Sequence, residues 1–304
     1  MSGSFIDVSD AARMFVFAVL VMTASTGHAD EQMMLMEEAK SGWTALERVS
    51  DQTRMEGHEI TRPINRPEAE IRVEERDYRF TRKGHSLLMI RSGHTRNGEF
   101  VLSRDYTRVG CVSERRCFVL DRSNPAHKFN ILEVSEDDPT LRMQLSAIMR
   151  KYLDAPWRVS GKSFAEFVAD PGFLLRDMRL EDVDGVRLAR LSFEFNPSKQ
   201  PDSAIRRGTF WFDPARSWAN VRCETRTSDG TFHREIQYRG KSNCPARIVD
   251  ELKMADGKGT RFEFDCSACS HGEVTDDEFT LPQFELEEPK PKRLPAPTAA
   301  APSI

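Results

Sequence analysis

A chain of 304 residues that is 39% hydrophobic and 30% charged has enough apolar material for a substantial core under a well-solvated surface. Its 44 basic and 48 acidic residues give a formal charge of -4, so no basic footprint exists and nucleic-acid binding is excluded as a function class.

The first element is an apolar run, "MFVFAVLVM" from Met14 to Met22. It is shorter than the roughly 20 residues needed to span a bilayer. Small residues follow it to Gly27 and Ala29, the pattern of a secretory signal peptide over residues 1–29 with cleavage after Ala29. Ahead of the run, Asp7 and Asp10 outnumber Arg13, so translation from Met14 is an alternative start. No cysteine precedes Cys111, which excludes a lipid-anchored precursor. The expectation is a periplasmic or secreted protein with no transmembrane span in its mature chain.

Leu35, Ala39, Trp43, Leu46 and Val49 then form the stripe of an amphipathic helix, with Gly42 as its weak point. From Met55 the pattern changes to short segments of alternating polarity such as "DYRF", "HSLLMIRS" and "RRCFVLDR", which read as strands. Asp138 and Pro139 supply an N-cap and a first-turn proline for a helix whose apolar face is Leu141, Leu145, Ile148, Met149 and Tyr152. Ser163 with Glu166 is a capping box for a second short helix. Strands resume at Phe173 and continue to Cys266. Asn97-Gly98, Asp184-Gly185, Asp229-Gly230 and Asp256-Gly257 are tight-turn pairs, so the strands form an antiparallel meander.

These elements predict an α+β, mainly antiparallel β fold: a curved meander sheet or half-open β-barrel, with an N-terminal helix and two helices inserted midway as a lid. Residues 30–285 make one domain. Residues 286–304, rich in proline and alanine, read as a disordered tail.

The six cysteines are Cys111, Cys117, Cys223, Cys244, Cys266 and Cys269. In "CSACSH" the histidine stands one residue too late for haem attachment, and no convincing helix follows to activate a redox pair. Zinc held by Cys266, Cys269 and His271 with Cys111 and Cys117 is a further reading, but an even number of cysteines in an exported chain favours disulfides. Hairpin geometry pairs Cys111 with Cys117, and Cys244 with Cys266 or Cys269; Cys223 takes what remains. His58 opens "HEITR", where Arg62 replaces the second histidine of a zincin; "GKS" at Gly161 lacks the earlier glycine of a phosphate loop. Neither a nucleophile elbow nor a complete calcium loop is present. No catalytic residue, cofactor or metal is expected, and the protein is read as a non-enzyme.

The order of elements, together with "GTFWFDPARSWANVRCETRTSDGTFHREIQYR", resembles the family of LolA/LolB-like and RseB-like half-barrels that sort outer-membrane lipoproteins. The closing phrase "DDEFTLPQFELEEP" is similar to the ends of other exported bacterial proteins. That resemblance implies an apolar concave face, lidded by helices, that holds acyl chains without catalysis. The expected lining is Phe80, Phe100, Phe193, Phe195, Phe210, Phe212, Phe262 and Phe264 from the sheet, with Trp43, Leu141 and Ile148 from the lids. Lipid, a lipoprotein or another envelope protein are the expected partners. The alternative is an envelope interaction or sensor module whose apolar face is filled by its own side chains.

Overall fold

The computed structural model describes residues 8–67, 70–136, 138–159, 161–199 and 205–288. The leader expected over 1–29 therefore lies partly outside the described residues, as does the expected tail from 289 onwards.

A long helix α1 (Val8–Ser50) precedes six strands, β1 (Gln52–Ile64), β2 (Glu74–Lys83), β3 (Ser86–Arg96), β4 (Glu99–Val112), β5 (Cys117–Arg122) and β6 (Asn130–Ser135). Next come α2 (Pro139–Leu153), the small hairpin β7 (Arg158–Val159) and β8 (Lys162–Ser163), and α3 (Phe164–Val168). The chain continues through β9 (Phe173–Val183), β10 (Val186–Phe195), β11 (Ile205–Asp213), β12 (Ala219–Thr227), β13 (Gly230–Tyr238), β14 (Pro245–Met254) and β15 (Gly259–His271). Thirteen of these strands build one sheet in the order β6-β5-β4-β3-β2-β1-β15-β14-β13-β12-β11-β10-β9. Its ends, β6 and β9, do not pair, so the sheet is an open half-barrel. Among the described residues, no helix is long and apolar enough to cross a membrane.

The topology gives the helices their place. Every neighbouring pair in the sheet is consecutive in sequence except β1 with β15, where the two halves meet. The chain must then travel from the β6 edge to the β9 edge, and α2 and α3 are that path across the concave face. Local signals hold as the sequence predicts. Asp138 accepts from the amides of Thr140 and Leu141 at the start of α2, and the Ser163/Glu166 capping box starts α3. Asn97-Gly98 (φ 52° and 81°) and Asp184-Gly185 (φ 51° and 79°) are the turns between β3 and β4 and between β9 and β10. Their positive φ values match the right-handed twist of the hairpins.

Two cores lie on the concave face. One packs α2, through Leu141, Leu145, Met149 and Tyr152, on strands that include β2 to β5. The other packs Trp43 of α1 with Phe164 and Phe167 of α3 on β10 to β12. A third core occupies the opposite, convex face: Leu88, Val109, Cys111, Phe118 and Leu120 are covered by Val274, Phe279 and Leu281 of the C-terminal segment. Leu286 packs against this core and Glu288 pairs with Arg116.

Gly42 acquires a purpose here. A Cβ at this position would lie 2.4 Å from Cδ1 of Trp218 and 3.0 Å from the Ser217 carbonyl. Trp218 is fixed by its own left-handed backbone (φ 64°), reached after the 3-10 turn Pro214–Arg216 that Asp213 caps. Gly42 to alanine in an exposed helix would stabilise by about 1 kcal/mol. At this contact, overpacking of about 1–3 kcal/mol outweighs that gain, so Gly42→Ala should lower the thermal midpoint; a raised midpoint would contradict the α1–Trp218 packing.

Candidate ligand-binding site

The site is built from the C-terminal end of α2. A helix ends with carbonyls that lack partners and carries negative dipole charge there. Two arginines from distant strands answer both needs. Arg82 of β2 donates to the Leu153 carbonyl at 3.4 Å and pairs with Asp154, while Arg234 of β13 donates to the Lys151 carbonyl at 3.2 Å. Arg234 is held in turn by both oxygens of Asp250, at 2.6 and 2.8 Å. Beside them the buried carboxylate of Glu59 accepts from Tyr152, from Lys151 at 3.1 Å, from Arg76 at 2.9 Å and from Thr61 at 3.2 Å. Lys151 also stands 3.2 Å above the ring of Phe262. Burial keeps Lys151 below the ordinary lysine value despite Glu59, and burial with Glu59 keeps the Tyr152 hydroxyl protonated as a donor.

Anchored in this way, α2 leans its apolar face toward β2 to β5 and leaves its other flank free. A cavity of about 720 Å³ separates that flank from α3 and from the floor of β11 to β13. Phe164, Val159, Ile205, Phe210, Cys223 and Phe232 form much of its apolar wall, with Met143 and Ala147 on the α2 side. Its volume falls within the roughly 300–1,000 Å³ typical of small-molecule sites. Cationic side chains mark the α2 rim. Arg158 is neutralised by Glu47 at 3.1 Å and Asp51 at 3.0 Å. The Arg142 side chain donates to the neutral Ser113 carbonyl, at 2.7 Å. The Arg150 side chain lines the cavity and, among the described residues, has neither an ion pair nor a hydrogen bond. Burial pushes the Cys223 thiol up to about 12, so this wall residue stays a neutral thiol.

Of the expected lining residues, the structure places Phe210 at the cavity wall. Trp43, Phe193, Phe195 and Phe212 are buried with Phe164 in the α1–α3 core, and Phe80, Leu141 and Phe264 in the α2 core. Phe262 lies half-buried beneath Lys151. Two expectations are corrected. Phe100, 55% exposed, sits at the far end of the long β3–β4 hairpin, beyond the register shifts that follow Ser92. Ile148, 48% exposed, falls beside the row Leu145–Met149 that meets the sheet, and on the side away from the cavity-lining residues. Missed by sequence reasoning as lining were Arg142 and Arg150 of α2, Cys223 of β12 and Phe232 of β13, which reach one space from three elements.

Of the expected cysteine pairings, one of the two offered for Cys244 is formed and Cys111–Cys117 is not. Cys244 and Cys269 form a disulfide, with Cα atoms 5.6 Å apart. Cys111 and Cys117 are both free and belong to different cores, Cys111 on the convex and Cys117 on the concave face. Strand alternation separates them: Cys111 stands opposite Phe118 and Cys117 opposite Val112. Cys223 and Cys266 are also free and buried.

No family model and no curated protein matches the chain. It is similar in fold to a DUF1329 family protein from Desulfovibrio piger, at 10% identity and a TM-score of 0.44, covering 82% of this chain and 98% of that one. A LolA superfamily protein from Nitrosomonas europaea aligns at 13% identity and a TM-score of 0.38, over 79% and 97% of the two chains. An outer membrane lipoprotein-sorting protein domain from Vibrio parahaemolyticus aligns at 11% identity and a TM-score of 0.39, over 82% and 100%.

Two outcomes follow from this geometry. Closing a loop of 25 residues, the Cys244–Cys269 bond should contribute about 3 kcal/mol, so Cys244→Ser/Cys269→Ser should be less stable by that amount in urea titration. Non-reducing peptide mapping should recover that bridge and no Cys111–Cys117 peptide. For Glu59, burial alone would raise the carboxyl, but Lys151, Tyr152 and Arg76 outweigh it and hold it below the ordinary 4.5. A carboxyl depressed by folding stabilises fully above about pH 4.5 and loses that contribution as pH falls through its folded value. Glu59→Gln should therefore cost about 3 kcal/mol near neutral pH. The gap to wild type should narrow below about pH 4.5; a gap that widens in acid would refute the assignment.

Proposed function

We propose that the protein is an exported, non-enzymatic carrier that holds one amphiphile, its apolar chain in the cavity between α2 and β11 to β13 and an anionic head at Arg150 and Arg142. The reading is carried by the cavity itself: apolar walls, a volume of about 720 Å³, and a rim where the Arg150 charge has no partner among the described residues. Burying about ten methylenes would contribute about 8 kcal/mol. That is the gross scale of a micromolar complex before the cost of association. Hydrocarbon burial is thus the main driving term for binding, and no reacting group is needed. The arginines add selectivity, since a charge-assisted hydrogen bond contributes about 1.5–3 kcal/mol. Export is supported by the apolar leader run from Met14 to Met22 and by the disulfide, which persists in oxidising compartments. A lipid, or the acylated end of a lipoprotein, is the partner class.

Extraction of the purified protein followed by mass spectrometry should release a long-chain anionic lipid, and a fluorescent fatty acid should bind. Ala147→Trp, which fills the cavity from the exposed flank of α2, should weaken binding at least tenfold while leaving the thermal midpoint unchanged. Arg150→Gln should weaken a fatty acid about tenfold and the matching fatty alcohol hardly at all. Absence of lipid together with unaltered probe binding in Ala147→Trp would rule the reading out.

A further inference from the structure

A cluster of two cysteines and a histidine at the end of β15 stands apart from the residues that line the cavity. Strand alternation would send Cys266 and Cys269 to opposite faces, three residues apart. A bulge prevents this: Gly57 pairs with Cys266 but Glu56 pairs with Ala268, so Ser267 is skipped. The parity of the strand is thereby reset. Beyond the bulge Cys269 stands opposite Met55 and His271 opposite Thr53, both of which are buried. Cys244, at the approach to β14, completes the group. The two sulfurs and a ring nitrogen of His271 all lie within 4.8 Å of one another.

The orientation of the imidazole is set by its neighbours. The Thr53 hydroxyl donates its single proton to the Ser50 carbonyl, at 2.9 Å. Its oxygen can therefore only accept from His271 Nδ1, also at 2.9 Å. That leaves the Nε2 lone pair facing Cys244 Sγ at 3.6 Å. A neutral histidine whose second nitrogen donates to a fixed oxygen is the arrangement of a metal-ligating imidazole. In a tetrahedral zinc centre, Zn–S of about 2.3 Å and Zn–N of about 2.0 Å set ligand atoms roughly 3.5 Å apart. The observed separation of 3.6 Å fits.

We infer that Cys244, Cys269 and His271 form a site for one zinc-class divalent ion when the disulfide is reduced, so that staple and metal centre are two redox states of one cluster. The reductant is a dithiol, which delivers two electrons and two protons to the S–S bond and leaves as its own disulfide. The ion then takes both sulfurs as thiolates, the two protons pass to solvent, and water fills the fourth position. Trp157, on the segment leaving α2, packs its ring against His271 with centroids 5.4 Å apart, which places this site at the root of the lid.

The test is cobalt titration of the full chain under anaerobic conditions, before and after reduction by a phosphine. Reduced protein should bind one Co(II) with a thiolate-to-cobalt charge-transfer band that Zn(II) abolishes, and oxidised protein should show no such band. His271→Ala, which retains all thiols and the disulfide, should weaken binding at least tenfold, with its folding checked by its thermal midpoint. Cys266→Ser should leave binding unchanged. No band in reduced protein, or an undiminished band in His271→Ala or in Cys244→Ser/Cys269→Ser, would overturn the assignment. Should the double serine variant fail to fold, the comparison of His271→Ala with wild type decides the question by itself.

Discussion

The architecture depends on how one helix end is held. The α2 terminus meets Arg82 from β2 and Arg234 from β13, strands that stand on either side of the central β1–β15 seam. Their guanidinium groups supply donors to carbonyls that the helix cannot satisfy itself, and positive charge where its dipole is negative. Arg82–Asp154 and Arg234–Asp250 are both deeply buried, with Glu59 and its donors between them. Removing one partner of such a pair strands a buried charge, a cost of about 3–5 kcal/mol. The network fixes where α2 can lie on the sheet more than it adds net stability.

From that fixed point the division of the concave face follows. The α2 face covers β2 to β5, and α1 with α3 covers β10 to β12. Over β10 to β12, aromatic rings fill the space: Phe167 meets Phe193, Phe195 and Phe210 edge-on, at centroid distances of 5.2, 5.2 and 5.7 Å. A self-filled core describes that end well. Between Phe164 of α3 and the outer flank of α2 part of the β11 to β13 floor is left uncovered, and the cavity occupies that gap. Its wall and the aromatic core share Phe210 and Phe164, so the packed end serves as the rigid side of the site.

Much of the fold was legible because its signals are local. Asp138-Pro139, Ser163 with Glu166, Asn97-Gly98 and Asp184-Gly185 each act within a few residues, and each does what its chemistry requires. The cavity was not legible, because its wall comes from α2, the β7–β8 hairpin, α3 and three strands whose juxtaposition depends on the crossover path. Picking phenylalanines by strand parity found the concave face, but most of those rings are covered by helices. The second covered face did leave a trace. "SLLMI" in β3 and "CFVL" in β5 are continuous apolar runs, the mark of strands buried on both sides, and "EFTLPQF" supplies the cover. Cys244–Cys269 was one of the two bridges the β14–β15 hairpin allowed, but the Cys111–Cys117 pairing failed for a similar reason. Spacing in sequence cannot show that Cys111 and Cys117 face opposite ways, nor that a bulge turns Cys269 toward Cys244.

The central claim is that the anchored α2 leaves a lipid-sized gap above β11 to β13. Crystals grown with a fatty acid brominated at its tail would report on this directly through the anomalous signal of bromine. The account predicts a bromine peak within van der Waals contact of Phe210 and Phe232, with the head near Arg150. A peak confined to the convex face, or side chains of α2 collapsed onto that floor with no density between them, would contradict it.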